Sequence, residues 1–421
     1  MSPRYPIHSV PTALRRVEVS EFEAVTKHPD FIRLGEKTQL SFVEKIYLGG
    51  RNSRLEHAYF IYHITEELCN NLVRHGFLFK EEARKVRGAS LLHDIGHPPF
   101  SHAIENVLGH LHDSQKPRTH NDRTGEIILN SLSEALKLCA LDPEEIAKIA
   151  TKKSEKSKII SHNTLGTDKI GYVLLDAHHT GYILHPPYML DLFPDYYYSA
   201  DSLGVQESRR PEIEAIQGII QDMYMHVYLN QDVLQYSRFV QRAIEEAVQS
   251  REMETEEIWD MPEGALIYRL SQSRNPAVKK QMDRYNSNTT LSPQTTLKIR
   301  EDERYELVPR SVMELASTKL RSPLNITKLE NEFAKEFGLQ EDSVYITVSP
   351  NTHRVVPEDL DLYEADVKRG TLFERYPQHF NSLLERAEDF FAIRIYYTND
   401  KKFPRADHAR DFVVQYLRIL E

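Results

Sequence analysis

The stretch LLHDIGHPPFSH, residues 91–102, contains four potential metal ligands within ten residues. His93 and Asp94 end an apolar helical run, so a single turn offers a divalent metal ion one imidazole and one carboxylate. Gly96 allows a tight exit from the helix, and Pro98–Pro99 prevent the helix from continuing. Such nitrogen and oxygen ligands suit Mn, Fe, Zn, Ni or Mg better than a metal that prefers thiolates.

The composition is that of a globular protein. The chain has 421 residues, of which 40% are hydrophobic and 28% charged, enough for one large or two ordinary domains. No apolar run approaches the ~20 residues that span a bilayer, and the N-terminus lacks a signal-peptide pattern. Cys69 and Cys139 are the only cysteines, so no disulfide framework is indicated. We therefore expect a cytoplasmic protein that does not contact a membrane.

Four sequence blocks resemble one enzyme family. HDIGHPPFSH at 93–102 is similar to the signature of HD-domain phosphohydrolases, specifically the deoxynucleoside triphosphate triphosphohydrolase (dGTPase-like) branch. RLEH at 54–57 resembles the R-F-E-H of that branch, and PDFIRL at 29–34 with a following Gln-Leu resembles its P-x-F-x-R-L…Q-L. The fourth block, DKIGYVLLD at 168–176, resembles D-K-x-D-Y-x-x-R-D. The resemblance covers roughly residues 25–285.

The resemblance implies a single divalent ion, Mn, Mg or Fe, as cofactor. Three separated segments would supply its two imidazoles and two carboxylates, from His57, His93, Asp94 and Asp168.

The resemblance also implies which residues bind and cleave a deoxynucleoside triphosphate (dNTP). Two cations, Arg54 and Lys169, would hold the phosphates. Three further side chains would contact the deoxyribose, namely Gln39, Tyr172 and Asp176. Three histidines would act on the triphosphate, namely His97, His102 and His120. His102 is the predicted proton donor to the departing O5′, because an imidazole titrates near neutrality. The products would be a deoxynucleoside and inorganic triphosphate.

Besides Leu55, which stands at the phenylalanine of R-F-E-H, three positions depart from the family pattern. Gly171 stands where a second aspartate is usual, and Leu175 stands where an arginine is usual. Asn121 follows His120 where a glutamate is common, so Asp122 is the remaining acidic candidate to pair with His120. These changes could alter the phosphate grip, the substrate or the subunit contacts.

Other functions remain open at this stage. The chain could be an HD phosphohydrolase that acts on a nucleoside monophosphate or a cyclic nucleotide, or a nucleotide-sensing protein without catalysis. Relatives are generally multimers, which implies a homo-oligomer and leaves room for an allosteric nucleotide. Binding of single-stranded nucleic acid is known among relatives, but the net charge of −10 argues against it.

The predicted fold is mostly α: an HD-domain helical bundle with additional helices and a small C-terminal α+β region. The predicted parts are an N-terminal arm at 1–20, a catalytic domain at 21–290 and a C-terminal subdomain at 291–421. In the C-terminal subdomain, YITVSP and FFAIRIYYTND show the residue alternation that is typical of strands, whereas VPEDLDLYEADVKRG does not. The Tyr- and Pro-rich stretch 186–204 is predicted to be an irregular insertion, in which Tyr197 or Tyr198 could stack on a base.

Overall fold

A computed structural model describes most of the chain. The residues it describes are 8–10, 15–113, 115–182, 192–199, 202–299, 305–340, 342–349, 355–398 and 403–419. They form two compact units that interleave along the sequence. Unit 1 comprises the described residues within 1–101, 119–223 and 357–380, and unit 2 those within 102–118, 224–356 and 381–421.

Helices make up most of both units, which confirms the predicted mostly α fold. In chain order the α-helices are α1 Glu23–Thr26, α2 Pro29–Ile32, α3 Arg54–Arg74, α4 Lys80–Leu92, α5 His102–His112, α6 His120–Leu129, α7 Ser133–Leu138, α8 Pro143–Ala150, α9 Ser157–Ser161, α10 Thr167–Thr180, α11 Arg210–Met223, α12 Gln231–Gln249, α13 Thr255–Asp260, α14 Glu263–Ser271, α15 Pro276–Asn286, α16 Arg310–Lys319, α17 Pro323–Glu336, α18 Leu372–Arg375, α19 Pro377–Phe390 and α20 Ala406–Ile419. Shorter helical turns are Ser20–Phe22, Arg33–Glu36, Ser41–Lys45, Glu207–Arg209 and a π-helical turn at Tyr224–Tyr228.

The strands of the described ranges form three small sheets. They are β1 His8–Val10, β2 Arg15–Val17, β3 Tyr196–Ser199, β4 Ser202–Gln206, β5 Thr295–Lys298, β6 Glu306–Leu307, β7 Val344–Val348, β8 Asp361–Glu364, β9 Val367–Thr371 and β10 Ile393–Tyr397. The orders are β1-β2, β3-β4-β8-β9 and β6-β5-β10-β7. The first two sheets belong to unit 1 and the third to unit 2.

The core of unit 1 is built around α3. This helix buries apolar side chains on nearly all sides, among them Phe60, Ile61, Ile64 and Leu68. A helix that is apolar all round must be enclosed by other elements, and α4 and α10 pack against it. Ser53 caps the N-terminus of α3 by accepting a hydrogen bond from Glu56 N at 3.1 Å. The start of α3 is thereby fixed at Arg54.

The core of unit 2 lies between its sheet and three helices. Apolar residues on β5, β7 and β10 pack with residues of α16, α17 and α20. The strands predicted from YITVSP and FFAIRIYYTND are confirmed as β7 and β10. They pair in antiparallel register, with Ile395 opposite Ile346 at the centre.

Two strand pairs were missed by the sequence analysis. VPEDLDLYEADVKRG contains β8 and β9, whose turn places Ala365 and Asp366 at φ of 46° and 66°. Non-glycine residues rarely adopt this conformation, so the usual Asn-Gly or Asp-Gly signal of a tight hairpin is missing. The expected irregular insertion also contains β3 and β4; its residues 186–191 and 200–201 lie outside the described part of the chain.

The predicted arm at 1–20 is described only at 8–10 and 15–20, where β1 pairs antiparallel with β2. The predicted domain boundaries stay a prediction, because the two units describe packing rather than independent folding. Within the described ranges, no helix combines the length and the apolar character needed to cross a membrane.

Candidate metal centre

Three helices of unit 1 bring the predicted metal ligands together. His57 lies in the first turn of α3, His93 and Asp94 follow the last residue of α4, and Asp168 lies in the first turn of α10. His57 Nε2 is 3.2 Å from Asp168 Oδ1 and 3.4 Å from Asp94 Oδ2. His93 Nε2 is 3.3 Å from Asp168 Oδ1 and 3.5 Å from Asp94 Oδ1.

These separations fit a shared ion. Ligand atoms about 2.1 Å from one metal lie about 3.0–3.4 Å from each other in octahedral or tetrahedral geometry. His57 is fully buried, and neither of its ring nitrogens makes a hydrogen bond of good geometry to any described residue. Buried polar atoms normally have a partner, so a metal ion is a fitting partner for Nε2. His57, His93 and Asp94 can also converge as ligands without Asp168.

The orientation of His93 is set by the helix that carries it. His93 Nδ1 lies 2.8 Å from the carbonyl oxygen of Ser90. A proton on Nδ1 donates to this carbonyl, so Nε2 keeps its lone pair for the metal. This arrangement is typical of histidine ligands, and it arises because the last turn of α4 leaves the Ser90 carbonyl available.

The four groups shift each other's protonation. Burial lowers the pKa of His57, but the carboxylates of Asp168 and Asp94 outweigh burial and raise the pKa to about 9. The pKa of His93 is also raised, because Asp94 and Asp168 outweigh its burial. Burial opposes ionisation of Asp94 and Asp168, yet the neighbouring histidines hold the pKa of both carboxyls below the usual value. Both carboxylates therefore stay ionised and draw protons onto the two histidines, and a bound metal cation would take the place of those protons.

Arg54 contacts a metal ligand directly. Its Nη1 forms a buried ion pair with Asp94 Oδ2, and its Nε donates to Ser101 Oγ at 2.6 Å. The sequence analysis predicted a phosphate clamp for Arg54. The geometry gives Arg54 a further role, since its planar fork holds the Asp94 carboxylate in place. Contact with a phosphate stays a prediction.

His97 and His120 lie side by side in unit 1. Their rings stack with centroids 4.0 Å apart and planes 11° from parallel. His97 Nε2 is 3.4 Å from Asp94 Oδ1. Burial, Arg54 and His120 together hold the pKa of His97 well below its ordinary value, so this imidazole is neutral at pH 7.

The third predicted catalytic histidine belongs to the other unit. His102 begins α5, and its Nδ1 lies 2.7 Å from Glu105 Oε2 one turn later. The imidazole is therefore paired with a carboxylate of its own helix. Its role as proton donor stays a prediction.

Gly96 determines how closely α6 approaches the metal-binding turn. A Cβ atom at Gly96 would lie 2.3 Å from the carbonyl oxygen of His120 and 2.4 Å from Thr124 N. The Gly96 N–H also donates to Thr124 Oγ1 at 3.1 Å. Only glycine allows this backbone contact, and the contact places His120 beside His97.

We expect Gly96→Ala to lower the free energy of unfolding by about 2–3 kcal/mol, because backbone atoms cannot yield as a side chain can. Gly125→Ala on α6, the helix that Gly96 contacts, is the matched control. A Cβ there would meet only Thr151 Cγ2 at 3.7 Å, and alanine in a helix is favoured over glycine by about 0.5–1 kcal/mol. Urea unfolding of both variants measures the difference. Equal stability of the two variants would contradict the predicted close contact.

The predicted substrate residues of α10 share one face of the helix. Lys169 donates to the Tyr172 hydroxyl, and its Nζ lies 4.9 Å from the centre of the Tyr172 ring. Asp176 Oδ1 accepts a hydrogen bond from Asn52 Nδ2 at 2.9 Å. Gln39 lies beside Asn52, to whose carbonyl its N–H donates at 2.8 Å. These four residues and Arg54, the fifth predicted substrate residue, all belong to unit 1, as do the four metal ligands.

The departures from the family pattern have structural explanations. A Cβ at Gly171 would lie 2.1 Å from Ile61 Cδ1, so an aspartate would require the Ile61 side chain to move where α10 packs on α3. Leu175 is fully buried on the same helix. Asp122 is exposed and caps α6 by accepting from Thr119 N at 3.0 Å. One carboxylate oxygen of Asp122 is thus used at the helix end, and a pairing of Asp122 with His120 stays a prediction.

The tyrosines proposed to stack on a base are used within the fold. Tyr197 stacks on Tyr363 with ring centroids 4.3 Å apart, and its hydroxyl donates to Asp366 at 2.9 Å. Tyr198 is buried on the same strand. The prediction that either ring stacks on a base has no support in this arrangement.

Two residues of the site were missed by the sequence analysis. Lys37 is almost fully buried, and its Nζ donates to the carbonyl of His97 in the metal-binding turn. Asn52 is the hydrogen-bond partner of Asp176. Lysine and asparagine are usually exposed, so neither residue type signals a buried site. Their proximity to Gln39 and Arg54 in sequence was the available clue.

Comparison with known protein families identifies the domain that holds the candidate metal ligands. Residues 54–177 match the HD domain family, and this range contains all four candidate metal ligands. The chain thus carries an HD domain of the phosphohydrolase class with a His/Asp cluster able to bind a metal ion.

The relatives are distant. "Uncharacterized protein MJ1154" of Methanocaldococcus jannaschii is 23% identical over 80% of this chain and 73% of its own length. The "Deoxynucleoside triphosphate triphosphohydrolase SAMHD1 homolog" of Dictyostelium discoideum is 27% identical over 36% of this chain and 32% of its own length.

Solved structures share the fold. A phosphohydrolase from Bacteroides thetaiotaomicron aligns over 94% of this chain and all of its own, with a TM-score of 0.71 and 15% identity. A hypothetical protein from Aquifex aeolicus aligns over 97% of this chain and 99% of its own, with the same TM-score and 20% identity.

Proposed function

We propose that this protein hydrolyses deoxynucleoside triphosphates to a deoxynucleoside and inorganic triphosphate. The observation that carries the proposal is the placement, within unit 1, of a two-histidine, two-carboxylate cluster together with Lys169, Tyr172 and Asp176 on one face of α10. The partial similarity to the Dictyostelium protein agrees with this substrate class.

A divalent ion held by His57, His93, Asp94 and Asp168 would polarise a phosphate oxygen and offset the charge of the reacting group. The remaining side chains position the substrate. Lys169 is buried and cationic, which suits a phosphate oxygen.

His97 and His120 would complete the phosphate-binding side of the site. The neutral His97 can donate a hydrogen bond to a phosphate without adding charge. Since phosphoryl transfer depends mainly on positioning and on compensation of charge, we propose these side chains as the substrate-orienting set.

We also propose the sugar-binding roles of Gln39, Tyr172 and Asp176, because simpler phosphohydrolases have no need of such a set. Four further points stay predictions: the identity of the metal as Mn, Mg or Fe, the cytoplasmic location, the homo-oligomer and a bound allosteric nucleotide. Binding of single-stranded nucleic acid is not proposed, because the net charge of −10 argues against it.

Product analysis tests the proposed reaction. With Mn²⁺ or Mg²⁺ and each of the four dNTPs, singly and mixed, we expect release of a deoxynucleoside and triphosphate in equal amounts. His93→Ala should release neither, because the cluster loses one ligand. Nucleoside monophosphates and cyclic nucleotides are assayed in parallel. Turnover of those compounds, with none for any dNTP mixture, would contradict the proposed substrate class.

A further inference from the structure

A short ribbon next to the metal centre brings two amide side chains together. Residues 37–39 pair antiparallel with residues 52–54, with one bridge between their central residues and a 2.8 Å hydrogen bond from Gln39 N to the Asn52 carbonyl. Residues directly opposite each other in such a pair carry their side chains on the same face, about 5 Å apart at Cβ. The Gln39 and Asn52 side chains are therefore neighbours.

The Asn52 side chain is held in one orientation. Asn52 is 2% exposed and Asp176 is 1% exposed. Asn52 Nδ2 donates to Asp176 Oδ1 at 2.9 Å, and only the amide nitrogen can face a carboxylate. The amide oxygen of Asn52 must therefore point away from Asp176.

Two buried amide oxygens in this group accept no hydrogen bond. They are Asn52 Oδ1 and Gln39 Oε1, and neither has a donor among the described residues. A buried acceptor without a donor costs about 1–3 kcal/mol, so a ligand that supplies a donor gains that energy on binding. A hydroxyl group supplies one, whereas a hydrogen atom in its place does not.

We infer that Asn52 is a specificity-determining residue of a subsite for a ligand hydroxyl, formed with Gln39 and Asp176. Asn52 has two roles there: it holds the Asp176 carboxylate and presents a second acceptor of its own. Under the proposed function, on which this inference rests, the hydroxyl belongs to the sugar of the nucleotide. Asp176 lies seven residues after Lys169, so hydroxyl and phosphate ends are about 10 Å apart along α10.

The test compares each dNTP with the matching 2′,3′-dideoxynucleotide. We expect the wild-type protein to prefer the dNTP in kcat/KM by about 100-fold or more, since a site built for a hydroxyl rejects an analogue without it. In Asn52→Ala, kcat/KM for the dNTP should fall about 30-fold or more, and that for the dideoxynucleotide less than about threefold. A 100-fold preference would then fall to about tenfold or less.

Asn71→Ala is the matched control. Asn71 is also a buried asparagine of unit 1 that donates one side-chain hydrogen bond, at 2.7 Å to the Phe193 carbonyl. It should retain the wild-type preference at a comparable loss of stability. Equal losses for both nucleotides in Asn52→Ala would show a merely structural role and would overturn the inference.

A binding measurement separates this inference from the proposed reaction. If the wild-type protein hydrolyses no dNTP, the proposed reaction fails, and calorimetric titration with the same nucleotide pairs still tests the subsite. Tighter binding of the hydroxyl-bearing member, lost in Asn52→Ala, would support the inference. Equal binding of both members, or no binding of either, would overturn it.

Discussion

Asp94→Ala is expected to abolish metal binding, to reduce any phosphohydrolase activity by about three orders of magnitude or more, and to lower the free energy of unfolding by about 3 kcal/mol. The first two effects follow because Asp94 approaches both histidines of the cluster. The third follows because Arg54, which is 2% exposed, would keep its charge without its carboxylate partner.

A double variant separates these effects. Arg54→Met combined with Asp94→Ala removes both buried charges, so stability should return toward that of the wild-type protein while metal binding stays lost. Metal content after dialysis and urea unfolding of the single and double variants provide the measurements. A full metal complement in Asp94→Ala would mean that Asp94 is not a ligand.

Metal affinity is expected to rise about tenfold for each pH unit between pH 6 and 9 for every proton displaced. In the metal-free protein the pKa of His57 is raised to about 9 by Asp168 and Asp94, against the effect of burial. The ring is therefore protonated at neutral pH. A metal requires the unprotonated nitrogen, so binding releases a proton and lower pH weakens binding.

The same shift predicts how stability depends on pH. A histidine whose pKa rises from 6.5 to about 9 on folding contributes stability that is fully present below pH 6.5 and is lost as the pH rises through 9. The metal-free protein should therefore lose stability between pH 7 and 9, and the metal-loaded protein should not.

Calorimetric titration of the protein with metal, in two buffers of different ionisation enthalpy, counts the protons that metal binding releases. Affinity that does not vary across this range would refute the proposed ligand role of His57.

The sequence alone predicts the four candidate metal ligands, because the HD pair and the R-x-E-H and D-K blocks retain their order and residue types. It also identified the strands β7 and β10, where alternation is regular. Periodicity alone did not reveal β8 and β9, since their turn uses Ala365 and Asp366 instead of glycine or asparagine. The capping role of Asp122 was also missed, because residue type does not show which way a side chain at a helix end points.

The sequence by itself therefore determined the helical fold class, the HD domain and the four candidate ligands, because local periodicity and motif spacing carry that information. Only the tertiary structure decided that Arg54 holds Asp94, that Gly171 lies against Ile61 of α3, and that Asn52 bonds to Asp176. Each of these contacts joins residues far apart in the chain, and each depends on burial. A sequence pattern records neither the partner of a buried polar group nor the space around a glycine.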